Sequence, residues 1–482
     1  MTSTVSSSLL DGPAATAGTR RKIATLAMMT ALVVSAFEGT VPTTAMPSIV
    51  RELGGTHLFS WVYASFLVAS AVSIPVFSKL ADRAGRRPIF TAGMTLFLLG
   101  SVLCGAAHSM HELIAARTLQ GLGVGAIGPL VPTVIGDLYT LEERARVQAL
   151  FMAAWGAANA AGPVIGGLIV SSVSWRWVFY VNVPFGVAAV ALLLASYVDP
   201  PGRAASSANV RSWHELSAFV KTNLDVRGTI LFALAASAML LGLEDQAAFG
   251  HAVRVALLAM AGVFAVMLVR EERSLRDDAG TPPLLPFAEL ADPVVRAGAI
   301  GSLFAGGLMY AIPAYVPFWF ATERHESAVL AGVALIPFLV AWAVGSALGV
   351  KLLVRLGAVA VSRAAISLSG VGTLLVALAA RMHAPTWCVF AALGIVGLGL
   401  GATANSTLVG PQSRVPWAKR GAVTGFMQVG RTLGGATIVA LLALLPSAQG
   451  RFLVLALLAL AGGRAITFAA SWNRAGDPVP RA

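Results

Sequence analysis

Three ionisable side chains, Glu38, Arg117 and Arg431, stand inside long apolar runs. A charge at membrane depth is costly enough to need a partner or a task. Counting from Ile23 at about 1.5 Å per residue, Glu38 lies roughly 24 Å into an apolar core about 30 Å thick, about 6 Å short of its outer edge. Arg117 enters from that side near Glu112, so it lies about 8 Å below the same edge. The depths match, and a Glu38–Arg117 contact is geometrically possible. A carboxylate so placed would take up or release a proton as its surroundings change, which is what proton coupling or cation binding needs. Two plainer readings stand beside this one. Glu38 could face a watery outer vestibule, or form a fixed structural pair with Arg117, which would then merely anchor its span. Arg431 sits about 15 Å into its run from Gly421, near mid-bilayer, with no carboxylate at comparable depth in the second half of the chain. Either it lines a cavity, or it is tied to a polar neighbour such as Gln428 or Asn405.

Other residues suggest less chemistry. Glu244 and Asp245 end an apolar run at a depth similar to Glu38, but Gln246 follows at once, so a solvated helix end is the expectation. Tyr310, Tyr315, Trp319 and Phe320 could line an apolar cavity or equally fill ordinary core or lipid-facing positions. The two cysteines, Cys104 and Cys388, fall inside apolar runs and read as small buried hydrophobes rather than a disulfide. There is no Gly-x-x-x-x-Gly-Lys-[Ser/Thr] stretch, no metal-ligand cluster and no nucleophile–base constellation. An enzyme is therefore not expected, nor a cofactor.

The elements that must position these groups are membrane helices. Of 482 residues 57% are hydrophobic and 12% charged, about half the charge of a soluble domain. Mean hydropathy is +0.79. Apolar runs near the spanning length recur from residue 23 to 470, without the alternation of barrel strands, so they read as helices. The runs place fourteen spans: six over 23–197, two over 228–270 and six over 296–470. Between and around them lie an N-terminal tail (1–22), a polar linker (198–227), a Pro- and charge-rich connector (271–295) and a C-terminal tail (471–482). The net charge of +12 forms no stripe for nucleic acid; the basic residues cluster between spans. Twenty-five of the 34 fall on one side of this topology, six on the other and three within spans. That bias puts both termini in the cytoplasm, and it is unchanged if the middle pair is dropped. No cleavage site follows the first run, which reads as a retained span.

A repeat relates the two sets of six. Lys79-Leu80-x-x-Arg83-x-Gly85 recurs as Lys351-Leu352-x-x-Arg355-x-Gly357. Gly121-Leu-Gly-Val-Gly125-Ala126 recurs as Gly397-Leu-Gly-Leu-Gly401-Ala402, and Phe151-Met152 as Phe426-Met427. Three matches in order at nearly one offset point to a two-bundle transporter. In Gly162-Pro163-x-x-Gly166-Gly167, small residues allow close helix approach and the proline a bend, a place to hinge or simply to pack.

Taken together, these motifs resemble the major facilitator superfamily and, within it, the fourteen-span drug–proton antiporters of the EmrB/QacA type. Ser78-Lys-Leu-Ala-Asp82-Arg83-Ala-Gly85-Arg86-Arg87 resembles the superfamily's loop motif between spans two and three, with Ser78 where glycine is usual. Leu113-x-x-x-Arg117-x-x-Gln120-Gly121 resembles its span-four motif, and Gly162 to Gly167 its antiporter motif. Glu38-x-Thr40…Ala45-Met46-Pro47 resembles the span-one motif of the fourteen-span group, with Glu for its usual Asp. Trp175-Arg-Trp-Val-Phe-Tyr-Val-Asn182-Val-Pro184 is similar to that group's entry to span six. The resemblance implies an all-α membrane protein of major facilitator fold, two six-helix bundles plus two inserted transmembrane helices. It implies a proton-driven exporter of amphipathic, often cationic, compounds working by alternating access. Glu38, Arg117 and Arg431 would then couple proton to substrate, and Asp82, Arg83, Gly85 and Arg86 would form a latch between bundles. Plain topological signalling would explain the arginines of that latch but not Asp82, which is Val354 in the second copy. Gln120, Asn405, Gln428, Tyr310 and Trp319 are candidate cavity residues. The expected partners are the bilayer and small amphipathic or lipid-like substrates, with no nucleic acid, in a monomer. The Ala-, Gly- and Arg-rich composition suggests a bacterial cytoplasmic (inner) membrane. A lipid or glycolipid transporter on the same scaffold is the alternative, and a non-transporting membrane sensor or platform a more distant one.

Overall fold

The computed structural model describes residues 18–55, 58–199, 225–243, 250–274, 285–326, 330, 333–443, 445 and 447–471. Glu244, Asp245, Gln246 and the side chain of Pro163 lie outside the described residues. Among the described residues the long elements are all helices: α1 (Gly18–Leu53), α2 (Phe59–Ala84), α3 (Arg86–Ala106), α4 (Met110–Leu138), α5 (Leu141–Ser172) and α6 (Trp177–Ser196, interrupted at Val181). They continue as α7 (Val226–Leu243), α8 (His251–Ser274), α9 (Pro293–Thr322), α10 (Ile336–Leu356), α11 (Ala358–Arg381), α12 (Thr386–Ser413), α13 (Trp417–Ala443) and α14 (Ala448–Ser471). Eleven of these fourteen are long and apolar enough to cross a membrane by length and composition. The sequence reading expects fourteen. The three outside the eleven are α1, α5 and α13, each of which includes side chains that lie outside the described residues.

Local chemistry sets where helices begin and end. Ser109 caps α4 by accepting the Glu112 N–H at 3.2 Å, and Thr140 with Glu143 forms a capping box on α5. Asp292 accepts the N–H groups of Val294 and Val295 at the start of α9, where Pro293 cannot donate. Gly85 and Gly357 end α2 and α10 at φ 94° and 81°, a region that admits glycine readily.

Helices α1–α6 pack on one another, as do α9–α14. The repeat seen in sequence is a repeat of contacts. A Cβ at Gly121 would sit 2.4 Å from the Phe66 carbonyl oxygen, and one at Gly397 2.2 Å from that of Phe338. Both glycines let α4 and α12 meet a neighbouring backbone at the same relative place. The halves join along two seams, α2 with α13 and α5 with α10. On the second, Trp155 and Trp342 stack at 5.9 Å between ring centroids. Helix α7 lies across the first seam, touching both α2 and α13, and α8 packs on α7.

The apolar cores differ. The second half has one large buried cluster around Trp319, Phe338, Trp342, Leu393 and Phe452. The first half has two, one holding Ala24 to Val34 of α1 and the other Val41 to Ile49. Glu38 lies between them in the chain.

Candidate functional site

Five helices converge on Glu38. It is 3% exposed, and its partner Arg117 1%. Arg117 Nη1 donates to Glu38 Oε1 and, at 2.8 Å, to Gln120 Oε1, one turn along α4. Asn182 Nδ2, on α6, donates to Glu38 Oε2 at 2.7 Å and to Ser101 Oγ of α3 at 3.0 Å. Ser101 also accepts from Gln120 Nε2 at 3.1 Å and donates to the Phe179 carbonyl at 3.0 Å. Arg117 Nε donates to the Val62 carbonyl of α2 at 3.3 Å, and its guanidinium carbon lies 4.1 Å from the centroid of the Phe66 ring. Cys104 Sγ contacts Gln120 Oε1 at 3.7 Å.

This is a closed cage. The ionised carboxylate is acceptor-only, and each of its oxygens receives a donor. Breaking a buried pair by removing one member leaves an uncompensated charge, typically worth 3–5 kcal/mol. A proton added to Glu38 does the same to Arg117, so protonation and rearrangement of the cage are coupled events.

The sequence argument from depth pairs Glu38 with Arg117, and the structure brings them together. Burial contradicts the reading of Glu38 as open to a watery vestibule. Gln120, expected as a cavity residue, is fully buried inside the cage instead. Asn182 belongs to the motif at the entry to span six, though the motif assigns it no role, while Ser101 is one small hydroxyl among many in apolar runs and nothing in the spacing sets it apart.

A second cluster forms where α2 meets α13. Asp82 Oδ1 accepts the Gly421 N–H at 2.9 Å and Oδ2 the Ala422 N–H at 2.8 Å, in the opening turns of α13. The positive end of that helix dipole favours the carboxylate. Arg86, fully buried, pairs with Asp137 of α4 at 2.9 Å and approaches Asp82 at 3.9 Å. Tyr197 donates to Asp137 at 3.0 Å. Asp199, beyond the end of α6, accepts the N–H groups of Arg86 and Arg87 at 2.8 and 3.2 Å. Burial raises the Asp199 carboxyl above its ordinary value, with the two N–H groups working against that shift. Gly85 is needed here for space as well as conformation, because a Cβ would fall 2.7 Å from Asp199 Oδ2. Arg83 is half-buried on the same turn. Asp137, Tyr197 and Asp199 escaped sequence reasoning because acids at helix ends ordinarily read as solvated.

The remaining candidates are dispersed. Arg431 is 9% exposed and, among the described residues, makes no hydrogen bond or ion pair; it lies in electrostatic contact with Tyr310. The expected ties to Gln428 and Asn405 are absent. Asn405 is buried and donates to Ser346 O and Oγ, each at 2.7 Å, while Gln428 abuts Gly128 of α4 across the seam. Asn405 is thus a packing contact of α10 with α12. Trp319 is 3% exposed in the second-half core, against Phe320 and Phe452. Tyr310 keeps 39% exposure beside Arg431. Helix α5 runs unbroken through Gly162, Gly166 and Gly167; the first two are buried and the third exposed. Among the described residues, no group of His, Cys, Asp and Glu is placed to hold a metal ion.

An all-helical fold of two similarly packed halves, with a buried charge cage in one and an acid-to-helix tie across the seam, is the build of a membrane transporter. The profile of the Major Facilitator Superfamily matches residues 28–439, and the chain belongs to that superfamily. It is 30% identical over 421 residues to the multidrug transporter protein MdtP of Bacillus subtilis, covering 86% of this chain and 73% of that one. It is also 30% identical to multidrug resistance protein 3 of the same organism, over 68% of this chain and 60% of the other. Among solved structures, the proton:xylose symporter XylE superimposes with a TM-score of 0.64 at 15% identity, covering 94% of this chain and 95% of that one. That likeness carries the fold and nothing finer. The protein is accordingly a multi-pass membrane transporter with multidrug-transporter relatives.

Proposed function

We propose that the protein is a fourteen-span drug–proton antiporter of the EmrB/QacA type, exporting amphipathic or cationic compounds from a bacterial cytoplasm by alternating access. The observation that carries this reading is the Glu38 cage, a carboxylate at membrane depth whose partners are all side chains or backbone able to let it go. In this reading the ionised Glu38–Arg117 pair holds the cage shut. A proton arriving from outside neutralises Glu38, frees Arg117 and Asn182, and lets α1, α4 and α6 shift relative to one another. Release of the proton on the opposite side restores the pair. Arg431, beside the seam and without a counter-ion among the described residues, is the second polar element of the transport path, next to Tyr310 and Gln428. The Asp82–α13 tie closes the cytoplasmic end in one conformation, with both termini on that side. The proton gradient supplies the energy, and a monomer suffices. The drug-transporter relatives support the substrate class.

The test is efflux of ethidium from everted vesicles or proteoliposomes under an imposed pH gradient. Glu38→Gln should insert and fold but lose gradient-driven efflux, while still allowing substrate exchange down its own gradient. Normal gradient-driven efflux by that variant would sink the proposal. Gradient-independent movement of a fluorescent phospholipid, without any ethidium transport, would favour lipid translocation instead.

A further inference from the structure

A cavity of about 610 Å³ lies between the inserted helix α8 and the second half, away from the cage. Its walls are apolar, including Phe287, Ile300 of α9 and Phe468 of α14. Its charged lining consists of Arg273 and Glu272 of α8 and Arg296 of α9. These residues sit at the end of the bundle that also bears Asp82 and Arg86, where the basic residues gather. The cavity exists because of how the inserted pair packs. Helix α7 rests on α2 and α13, but α8 rests chiefly on α7. Val263, Val266 and Met267 of α8 are about half exposed, as is Phe468 across the gap. Around the cavity the second half therefore stands apart from α8, and the described residues do not fill the wedge.

The geometry points to a bound phospholipid with an anionic headgroup, its phosphate on Arg273 and Arg296 and an acyl chain in the wedge below. Water is a poor occupant of an apolar cleft bordered by lipid-facing helices, whereas an acyl chain satisfies the walls. The charge balance selects the headgroup. Arg296 is fixed in place by donating to the Ala469 carbonyl at 2.6 Å and the Leu290 carbonyl at 3.0 Å, and among the described residues its positive charge has no carboxylate. Arg273 is exposed at the rim. Glu272 is already engaged: Oε1 accepts the Leu285 N–H at 3.2 Å, and its charge faces Lys79 of α2. Two guanidinium groups thus face one committed carboxylate, a site that attracts a phosphate and repels a cationic substrate. A lipid here adds to the contacts of α7 with α13 in fastening the inserted pair to the second half, and this inference stands whether or not the antiport proposal does.

The experiment uses the full chain, purified in detergent and delipidated, with lipid retention read by native mass spectrometry and thermal unfolding read in parallel. Phosphatidylglycerol should be retained in preference to phosphatidylcholine and should raise the unfolding temperature; inorganic phosphate alone should do neither. Arg273→Gln, at an exposed position, should weaken phosphatidylglycerol retention roughly fivefold, the contribution of one cation near an anionic lipid surface. Ile300→Trp keeps both charges but fills the wedge, and should abolish retention in a folded protein. Equal retention of the two lipids, or retention indifferent to both substitutions, overturns the proposal. Stabilisation by phosphate alone, matching that by phosphatidylglycerol, overturns the lipid assignment in favour of a free-anion site.

Discussion

The two halves share a backbone plan and differ in what they bury. Residues of α2 and α3 correspond to those 272 positions later, and residues of α4 to those 276 later. On that mapping Phe66 matches Phe338, and Gly121 matches Gly397, which meet in the same way in both halves. The cage does not survive the mapping. Arg117 corresponds to Leu393, Gln120 to Val396 and Ser101 to Thr373, and the two aliphatic residues are fully buried in the large second-half core. Asp82, which ties α2 to α13, corresponds to Val354, which is 58% exposed. The second half has one large apolar cluster with two small ones beside it, whereas in the first half a charge pair lies between two large clusters. A core held only by apolar packing has one well-packed arrangement, whereas a core divided by an ion pair can have two, because the pair's strength depends on a proton. Motion during transport is thus expected to be seated in the first half, against the second as a frame.

The sharpest way to break this contrast is to give the first half the second half's residue. Arg117→Leu leaves Glu38 buried without its cation and should cost about 3–5 kcal/mol. It should show as a large fall in unfolding temperature and complete loss of gradient-driven efflux. Arg117→Leu combined with Glu38→Leu should regain most of that stability and none of the transport. If the single substitution is as stable as the parent, the cage is not an ion pair held at a cost.

The latch comparison should give the next largest effect. Asp82→Asn weakens two hydrogen bonds to α13, and charged hydrogen bonds are worth about 1.5–3 kcal/mol each. Spin labels on the Asp82 end of α2 and the start of α13 should then report a longer distance in most molecules. The reciprocal change, Val354→Asp at an exposed site, should leave both distance and transport unchanged. A comparable response in the two halves would mean that Asp82 is simply a surface acid.

The glycine pair tests the shared part of the plan. Gly121→Ala and Gly397→Ala each force a methyl toward a backbone oxygen that cannot move aside, and each should destabilise by about 1–3 kcal/mol. The two should differ little from one another, since the approach distances of 2.4 and 2.2 Å are alike. A large difference between them would show that the halves are not equally tightly packed at this crossing.

Much of the fold was legible in the chain because bilayer thickness fixes helix length and charge bias fixes order. The Glu38–Arg117 pair was legible for the same reason: depth along a span is a coordinate that sequence carries. Azimuth is not. Which way a side chain faces around its helix is set by neighbours from distant parts of the chain, so Ser101 could not be picked out from other small polar residues, and Asn182, though part of a motif, carried no sign that it faces Glu38. The same lack left two settings open for Arg431, a cavity or a polar neighbour, and the bond to Gln428 on its own helix is not formed. Trp319 likewise reads equally as a cavity, core or lipid-facing aromatic, and it packs inward on Phe452. Of the fourteen long helices, eleven are long and apolar enough to span a membrane, and the other three, α1, α5 and α13, include side chains outside the described residues.

The smallest predicted effect separates the halves at a single hydroxyl. Ser101 and Thr373 occupy corresponding places, and both are fully buried. Ser101 Oγ joins three helices, accepting from Gln120 and Asn182 and donating to the Phe179 carbonyl. Thr373 Oγ1 donates to Ser369 O at 2.8 Å, within its own helix. Ser101→Ala leaves two amide donors short of an acceptor and should cost about 1–3 kcal/mol, the penalty for buried polar groups left unpaired. Thr373→Val removes a bond that serves one turn of helix and should cost well under 1 kcal/mol. Because Asn182 then has Glu38 as its sole partner in the cage, Ser101→Ala should also move the external pH dependence of efflux, which Thr373→Val should leave in place. Equal stability losses with unchanged pH profiles would reduce Ser101 to a packing residue and confine the chemistry of the first half to Glu38 and Arg117.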